Sequence, residues 1–301
     1  MNEQEIFEFL NQKAEQYNHV DFIELDPISI PHQFSLKQDI EISGFFAATI
    51  AWGNRKSIIT SAQKIIDFMG NSPYDFVMNV TQKDFKKLEN KAVHRTFSAE
   101  DFQQFILNLK SVYTEFESLE NLFLLKENEE NYYHAIERFR TRFLGEIPHR
   151  SHKHVSSPYK NSASKRLVMF LRWMVRQDKK GVDFGIWKNL SPQYLSIPLD
   201  VHTANISRKL GVLTRTQNDW KAVEELDQII RKHNPDLVLL DIEMPGHSGL
   251  ELLDFFDENE VSFSIIFTTA YNEYALQAFK FSAIDYLLKP FDKDALKRSI
   301  E

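Results

Sequence analysis

The sequence predicts a mainly helical domain over residues 1–221, joined to an incomplete α/β segment over residues 222–301. Three observations carry that division. In the first part, apolar residues recur at helical spacing with little strand alternation. In the second, short hydrophobic runs alternate with helical stretches, the pattern of a parallel sheet covered on both faces. The charge changes too: residues 222–301 hold 7 basic and 16 acidic side chains, net −9, whereas residues 1–221 hold 29 and 27, net +2. Such a shift marks a boundary near 220–235. It also leaves only the first part able to approach a polyanion such as DNA.

The elements follow in order. Gln4 to Gln16 carries Ile6, Phe7, Phe9 and Leu10 at helical spacing. Asp39 to Ala51 is apolar enough for a core helix and ends at Trp52-Gly53-Asn54-Arg55. Lys56 to Met69 is a further helix, stopped at Gly70, because glycine is favoured just past a helix end. Ser98 is the N-cap of the next helix. Asn131 to Phe143 is closed by Gly145 and Pro148. Beyond Trp220, helix is expected over Ala222–His233, Gly249–Glu258, Glu273–Phe281 and Lys293–Ile300. Strands are expected over Asp236–Leu240, Phe263–Thr268 and Asp285–Leu288.

The absence of cysteine excludes disulfides, thiolate zinc sites and cysteine-ligated iron–sulfur clusters. The start of the chain has no cationic-then-apolar leader, and the longest apolar run, Gly44 to Gly53, is too short to cross a bilayer. A cytoplasmic protein with no membrane partner is expected.

In an open parallel sheet, functional groups collect where strands end. Asp241, in Leu237-Val238-Leu239-Leu240-Asp241-Ile242-Glu243-Met244-Pro245-Gly246, ends one strand; Thr269 and Lys289 (before Pro290) end two others. A carboxylate nucleophile, a hydroxyl and a cation are what phosphoryl transfer to a carboxylate needs. Any one of them alone is as well explained as a helix cap or a loop residue. Together they resemble the receiver domain of two-component response regulators. Phe267-Thr268-Thr269-Ala270-Tyr271-Asn272-Glu273-Tyr274 is most similar to receivers that precede LytTR-type DNA-binding domains. The resemblance implies a flavodoxin-like fold, Asp241 as phosphoacceptor, Thr269 and Lys289 contacting the phosphoryl group, Tyr286 as the switch aromatic, and a histidine kinase as partner. It starts only at about Ala222, so the receiver's first strand, first helix and second strand, with their acidic pair, have no counterpart. Mg²⁺ is expected only if this segment functions, since one Asp and a backbone carbonyl make a poor site.

Upstream, Lys160, Lys165, Arg166, Arg172 and Arg176 follow His149, Arg150, His152, Lys153 and His154. Helical projection puts Lys165, Arg172 and Arg176 near one face, which suits either a phosphate backbone or a solvated surface. The histidines form a basic loop in preference to a metal site. Asp200, in Ile197-Pro198-Leu199-Asp200-Val201-His202-Thr203, is a good N-cap for a helix through Lys209, stopped by Gly211. With Arg208-Lys209-Leu210-Gly211, it also resembles the catalytic segment of helix-hairpin-helix DNA glycosylases. That likeness implies Asp200 as the catalytic carboxylate and a Schiff-base amine, for which Lys165 is the candidate; such an amine needs burial or a neighbouring cation to activate it, and Arg166 is the neighbouring cation. Asn54, Arg55, Arg166, Arg172 and Arg176 are then the DNA contacts, with Trp52, Trp173 and Trp187 as possible stacking groups although core packing suits each better. The glycine-rich hairpin of that fold is absent.

Residues 1 to about 221 also resemble an uncharacterised bacterial helical family. The likeness runs through Asp26-Pro27-Ile28, Ala51-Trp52-Gly53-Asn54-Arg55, His94-Arg95-Thr96-Phe97, Lys165 to Arg176, Gly181-Val182-Asp183-Phe184-Gly185 and Gln217-Asn218-Asp219-Trp220. That family's helical domain continues past the Trp220 helix into closing helices, where this chain has receiver-like sequence. The chain as a whole therefore reads as a chimera of two truncated domains. A base-excision enzyme, a phosphorelay switch and an inactive recombinant are the outcomes to weigh.

Overall fold

A computed structural model describes residues 3–86, 92–178, 180–232, 237–242, 264–269, 285–291, 295 and 298–299. The chain divides into two compact units, Met1–Asp227 and Gln228–Glu301.

The first unit opens with α1 (Glu3–Tyr17) and a short α2 (Asp21–Glu24). Its centre is α3 (Lys37–Thr49), buried continuously from Ile40 to Thr49. A helix apolar on every side belongs inside a core, as the sequence predicts. Next come α4 (Arg55–Phe68), α5 (Pro73–Asn79) and α6 (Gln82–Phe85). Asn54 caps α4 by accepting from the Ser57 amide, and Gly70 follows with φ +66°.

A small antiparallel hairpin interrupts the helices: β1 (Ala92–His94) and β2 (Phe97–Ser98). It is too short to show alternation, which is why the sequence gives no sign of it. Ser98 then caps α7 (Ala99–Glu115) in a capping box with Asp101. After α8 (Tyr133–Leu144) and Gly145 come α9 (Lys165–Val175), α10 (Val201–Lys209) and α11 (Trp220–Lys232).

The core is built on phenylalanine. Phe45 of α3 stacks on Phe105 of α7 and meets Phe139 and Phe143 of α8 edge-on. Helices α3 and α9 cross closely at Gly44, where a Cβ would stand 3.0 Å from Met174 Cε and 3.5 Å from the Phe170 ring. Within this core Glu41 is fully buried. It accepts from Trp187 Nε1 (2.6 Å), Tyr113 Oη (2.8 Å), the Leu119 amide (3.1 Å) and Ser118 Oγ. Burial pushes its carboxyl pKa up, although these four donors oppose the rise.

Of the second unit, three strands are described: β3 (Leu237–Asp241), β4 (Ser264–Thr269) and β5 (Asp285–Leu288). They are parallel, in the order β3-β4-β5, as the alternating pattern predicts. Strands β3 and β4 each lie one residue beyond the expected ends, so Asp241 closes β3 instead of following it. Residues 295, 298 and 299 are helical. The helices expected over Gly249–Glu258 and Glu273–Phe281 lie outside the described residues.

Candidate functional site

Two groups of the expected residues are brought together, one in each unit. In the sheet, parallel strands deliver their C-terminal ends to one edge. Asp241 pairs in register with Thr268, and Thr269 with Leu288. The Ile242 amide donates to the Thr268 carbonyl at 2.9 Å, and the Lys289 amide to the Thr269 carbonyl at 2.8 Å. Asp241, Thr269 and Lys289 therefore stand at adjacent strand ends. Thr269 is fully buried and Lys289 exposed. Tyr286 lies on β5 opposite Phe267. The side chains of Asp241 and Tyr286 lie outside the described residues.

The receiver resemblance implies a divalent cation at this edge. Among the described residues, no group of three His, Cys, Asp or Glu side chains could hold a metal. The strand ends offer one carboxylate, Asp241, where a magnesium site needs several oxygen ligands. Of the three histidines in the basic loop, His154 packs against Trp52 and bonds Asp101, and His149 bonds Ser151.

In the helical unit, Lys165 is the first residue of α9 and Asp200 caps α10, accepting from the Thr203 amide at 2.9 Å. Lys165 Nζ lies 3.7 Å from Asp200 Oδ2. Burial pushes the Asp200 carboxyl pKa up, but the Thr203 amide and the Lys165 ammonium outweigh it, and the net direction is down. Asp26 joins the same field. Its carboxylate lies 3.7 Å from Arg55 Nε and is raised by burial, against the pull of the Ile28 amide, Arg55, Lys165 and Arg172. Asp26 is visible in the sequence only as part of a family stretch, because nothing in its neighbourhood announces a partner.

Two expectations require correction. Arg166 does not activate Lys165: it bonds the Thr49 carbonyl at 2.5 Å and lies over the Trp52 ring at 4.9 Å. The charge that does face Lys165 is the carboxylate of Asp200. Arg172 and Arg176 are not an open basic face. Helix α9 ends at Val175 and Arg176 is extended, so both guanidinium groups reach the buried Asp183, at 3.2 and 2.9 Å. Residues 176–200 between α9 and α10 hold one 3-10 turn (Pro192–Tyr194) among their described members and do not form a short hairpin. Trp173 and Trp187 are core residues, as packing alone suggests, whereas Trp52 is half-buried.

Comparison with known proteins gives two family matches. Residues 26–241 match the family described as "Protein of unknown function (DUF2400)". Residues 205–301 match the response regulator receiver domain, so the two overlap over 205–241, from within α10 to the end of β3, and the receiver match starts earlier than Ala222. An uncharacterised response regulatory protein of Vibrio cholerae is 40% identical over 95 residues, covering 32% of this chain and 38% of that protein. The sensory transduction protein LytT of Bacillus anthracis is 38% identical over 79 residues, 26% of this chain and 32% of that one. LytT of Oceanobacillus iheyensis is 41% identical over 99 residues, 30% of this chain and 39% of that one. The chain thus spans about a third of the length of these relatives. No solved structure matches. Among the described residues, no helix is long and apolar enough to cross a membrane.

Proposed function

This chain belongs to the DUF2400 family, and from that premise we propose that it is a signalling fusion whose receiver-type acceptor, Asp241, follows the family's helical domain. The observation that carries this reading is the placement of Asp241, Thr269 and Lys289 at adjacent ends of parallel strands. The partner is a histidine kinase. In the transfer, the P–N bond of a phosphohistidine breaks as a P–O bond forms to an Asp241 carboxylate oxygen. The imidazole leaves with the electron pair and takes a proton from water. Lys289 offsets the charge that accumulates. Incubating the full chain with phosphoramidate should leave hydroxylamine-labile phosphate on Asp241, absent in Asp241→Asn. A wild-type chain that stays unlabelled overturns the proposal.

A second reading rests on the 3.7 Å approach of Lys165 to Asp200. Base excision would use Asp200 to take a proton from Lys165, whose amine then attacks the sugar carbon as the base departs with its bonding pair and receives that proton back from Asp200. Asn54, Arg55 and Arg166 are its DNA contacts, with Arg172 and Arg176 available only at the expense of Asp183. Borohydride trapping on abasic DNA, lost in Lys165→Ala, supports it; no trapped complex rejects it.

A further inference from the structure

Gly53 and Arg95 form a contact that neither sequence segment foretells. Gly53 has φ +109°, and a Cβ built there would stand 2.6 Å from Arg95 Cζ and Nη2. The Arg95 guanidinium therefore rests against the bare Cα of Gly53. Its hairpin is pinned in place by His94, whose ring bonds Ser61 Oγ at 2.9 Å and the Trp52 carbonyl at 3.2 Å. Arg95 itself is held at φ +49°, a conformation that non-glycine residues adopt at a cost. Arg95 is the first residue of the two-residue turn between His94 and Phe97, where a positive φ is usual, and the turn carries its guanidinium to Gly53.

One residue away, Arg166 covers the Trp52 ring, and Arg55 opens α4 two residues on. The loop 52–55 thus gathers three guanidinium groups from three separate segments. Nearby carboxylates are already engaged: Asp26 faces Arg55 and Asp200 faces Lys165. Among the described residues, neither Arg95 nor Arg166 has a carboxylate partner. Two uncompensated positive charges remain, the charge of one phosphate monoester dianion. Guanidinium groups are the side chains best matched to its oxygens.

We propose that Arg95, seated on Gly53, forms with Arg55 and Arg166 a receptor for a phosphate group around the Trp52 loop of the helical domain. A side chain at Gly53 would push the Arg95 guanidinium from its seat and would hold φ +109°, which L residues rarely adopt. The receptor does not involve Asp241; it shares Arg55 and Arg166 with the base-excision reading but does not need the Lys165 amine, and binding of inorganic phosphate or AMP separates the two.

The test is calorimetric titration of the full chain, at constant ionic strength, with inorganic phosphate, AMP, adenosine and a single-stranded oligodeoxynucleotide. Phosphate-bearing probes should bind and adenosine should not. Arg95→Gln should weaken binding about tenfold or more, the loss expected for a charge-assisted contact. Gly53→Ala should weaken it comparably with every arginine retained, whereas Arg142→Gln, which removes a guanidinium paired elsewhere with Glu115, should not. Arg95-dependent binding of phosphate or AMP identifies a free or terminal phosphate, and Arg95-dependent binding of the oligonucleotide alone identifies a phosphodiester; either upholds the receptor. Equal binding by Arg95→Gln at an unchanged unfolding midpoint, or no binding of any phosphate-bearing probe, overturns it.

Discussion

Lys165 and Asp200 each stand at the start of a helix, α9 and α10, and those two starts approach so that Lys165 Nζ is 3.7 Å from Asp200 Oδ2. Asp200 therefore does two things: it caps α10 through the Thr203 amide and it faces an ammonium group.

Substitution separates those roles. Asp200→Ala should lower stability by about 1 kcal/mol, the usual value of an N-cap, since a partly exposed pair adds little. Asp200→Asn keeps a capping oxygen and should lose less than half as much. Urea midpoints of the two variants check this; equal losses would assign the stability to the ion pair.

Glu41 is fully buried in the helical unit and accepts from four donors. Glu41→Ala would strand the indole of Trp187, the Tyr113 and Ser118 hydroxyls and the Leu119 amide inside the core. A loss of about 3 kcal/mol or more is expected, because buried donors left without acceptors cost the most. A loss below about 1 kcal/mol in urea unfolding would contradict the network.

Asp183 should behave alike for a different reason. It is buried, and the two cations it holds, Arg172 and Arg176, are partly exposed. Asp183→Ala should cost about 3 kcal/mol, close to the value for breaking a buried pair. Arg172→Ala should cost less, since Arg176 still compensates the carboxylate. A double-mutant cycle on Asp183 and Arg176 should show coupling; additive losses would mean that the pair is structurally idle.

Asp219 gives a pH signature. The hydrogen bond from Arg215 is the main cause that lowers its pKa to about 2, aided by the Ala222 amide and Asn161 against the effect of burial. A carboxyl whose pKa falls on folding stabilises the fold above its unfolded value of 3.8, and that contribution disappears as pH drops through about 2. Urea midpoints measured from pH 5 downward should therefore fall less steeply for Asp219→Asn than for wild type. Parallel curves would count against the clamp.

Elements whose signal is local are legible in the amino-acid sequence. Helix α3 announces itself because it is apolar on all sides, Ser98 and Asp200 because a capping oxygen acts within three residues, and β3 to β5 because buried parallel strands are short apolar runs. The hairpin at Ala92–Ser98 is not legible, since two or three residues per strand carry no period. The basic face misleads for a related reason. Helical projection places arginines on a face but says nothing of a carboxylate beyond the helix end, and Asp183 lies there.

The sequence by itself determined the division into a helical and an α/β part, the helix caps, and the strand ends that carry Asp241, Thr269 and Lys289. These follow from periodicity and from hydrogen bonds that close within one turn. Only the tertiary structure decided which charges meet: Asp26 with Arg55, Lys165 with Asp200, Arg166 with Trp52, Arg95 with Gly53. Those pairings are set by how α3, α4 and α9 pack around the phenylalanine core and by a glycine that leaves room for a guanidinium. Contacts between segments far apart in the chain depend on the whole core and leave no mark on the spacing of residues within either segment.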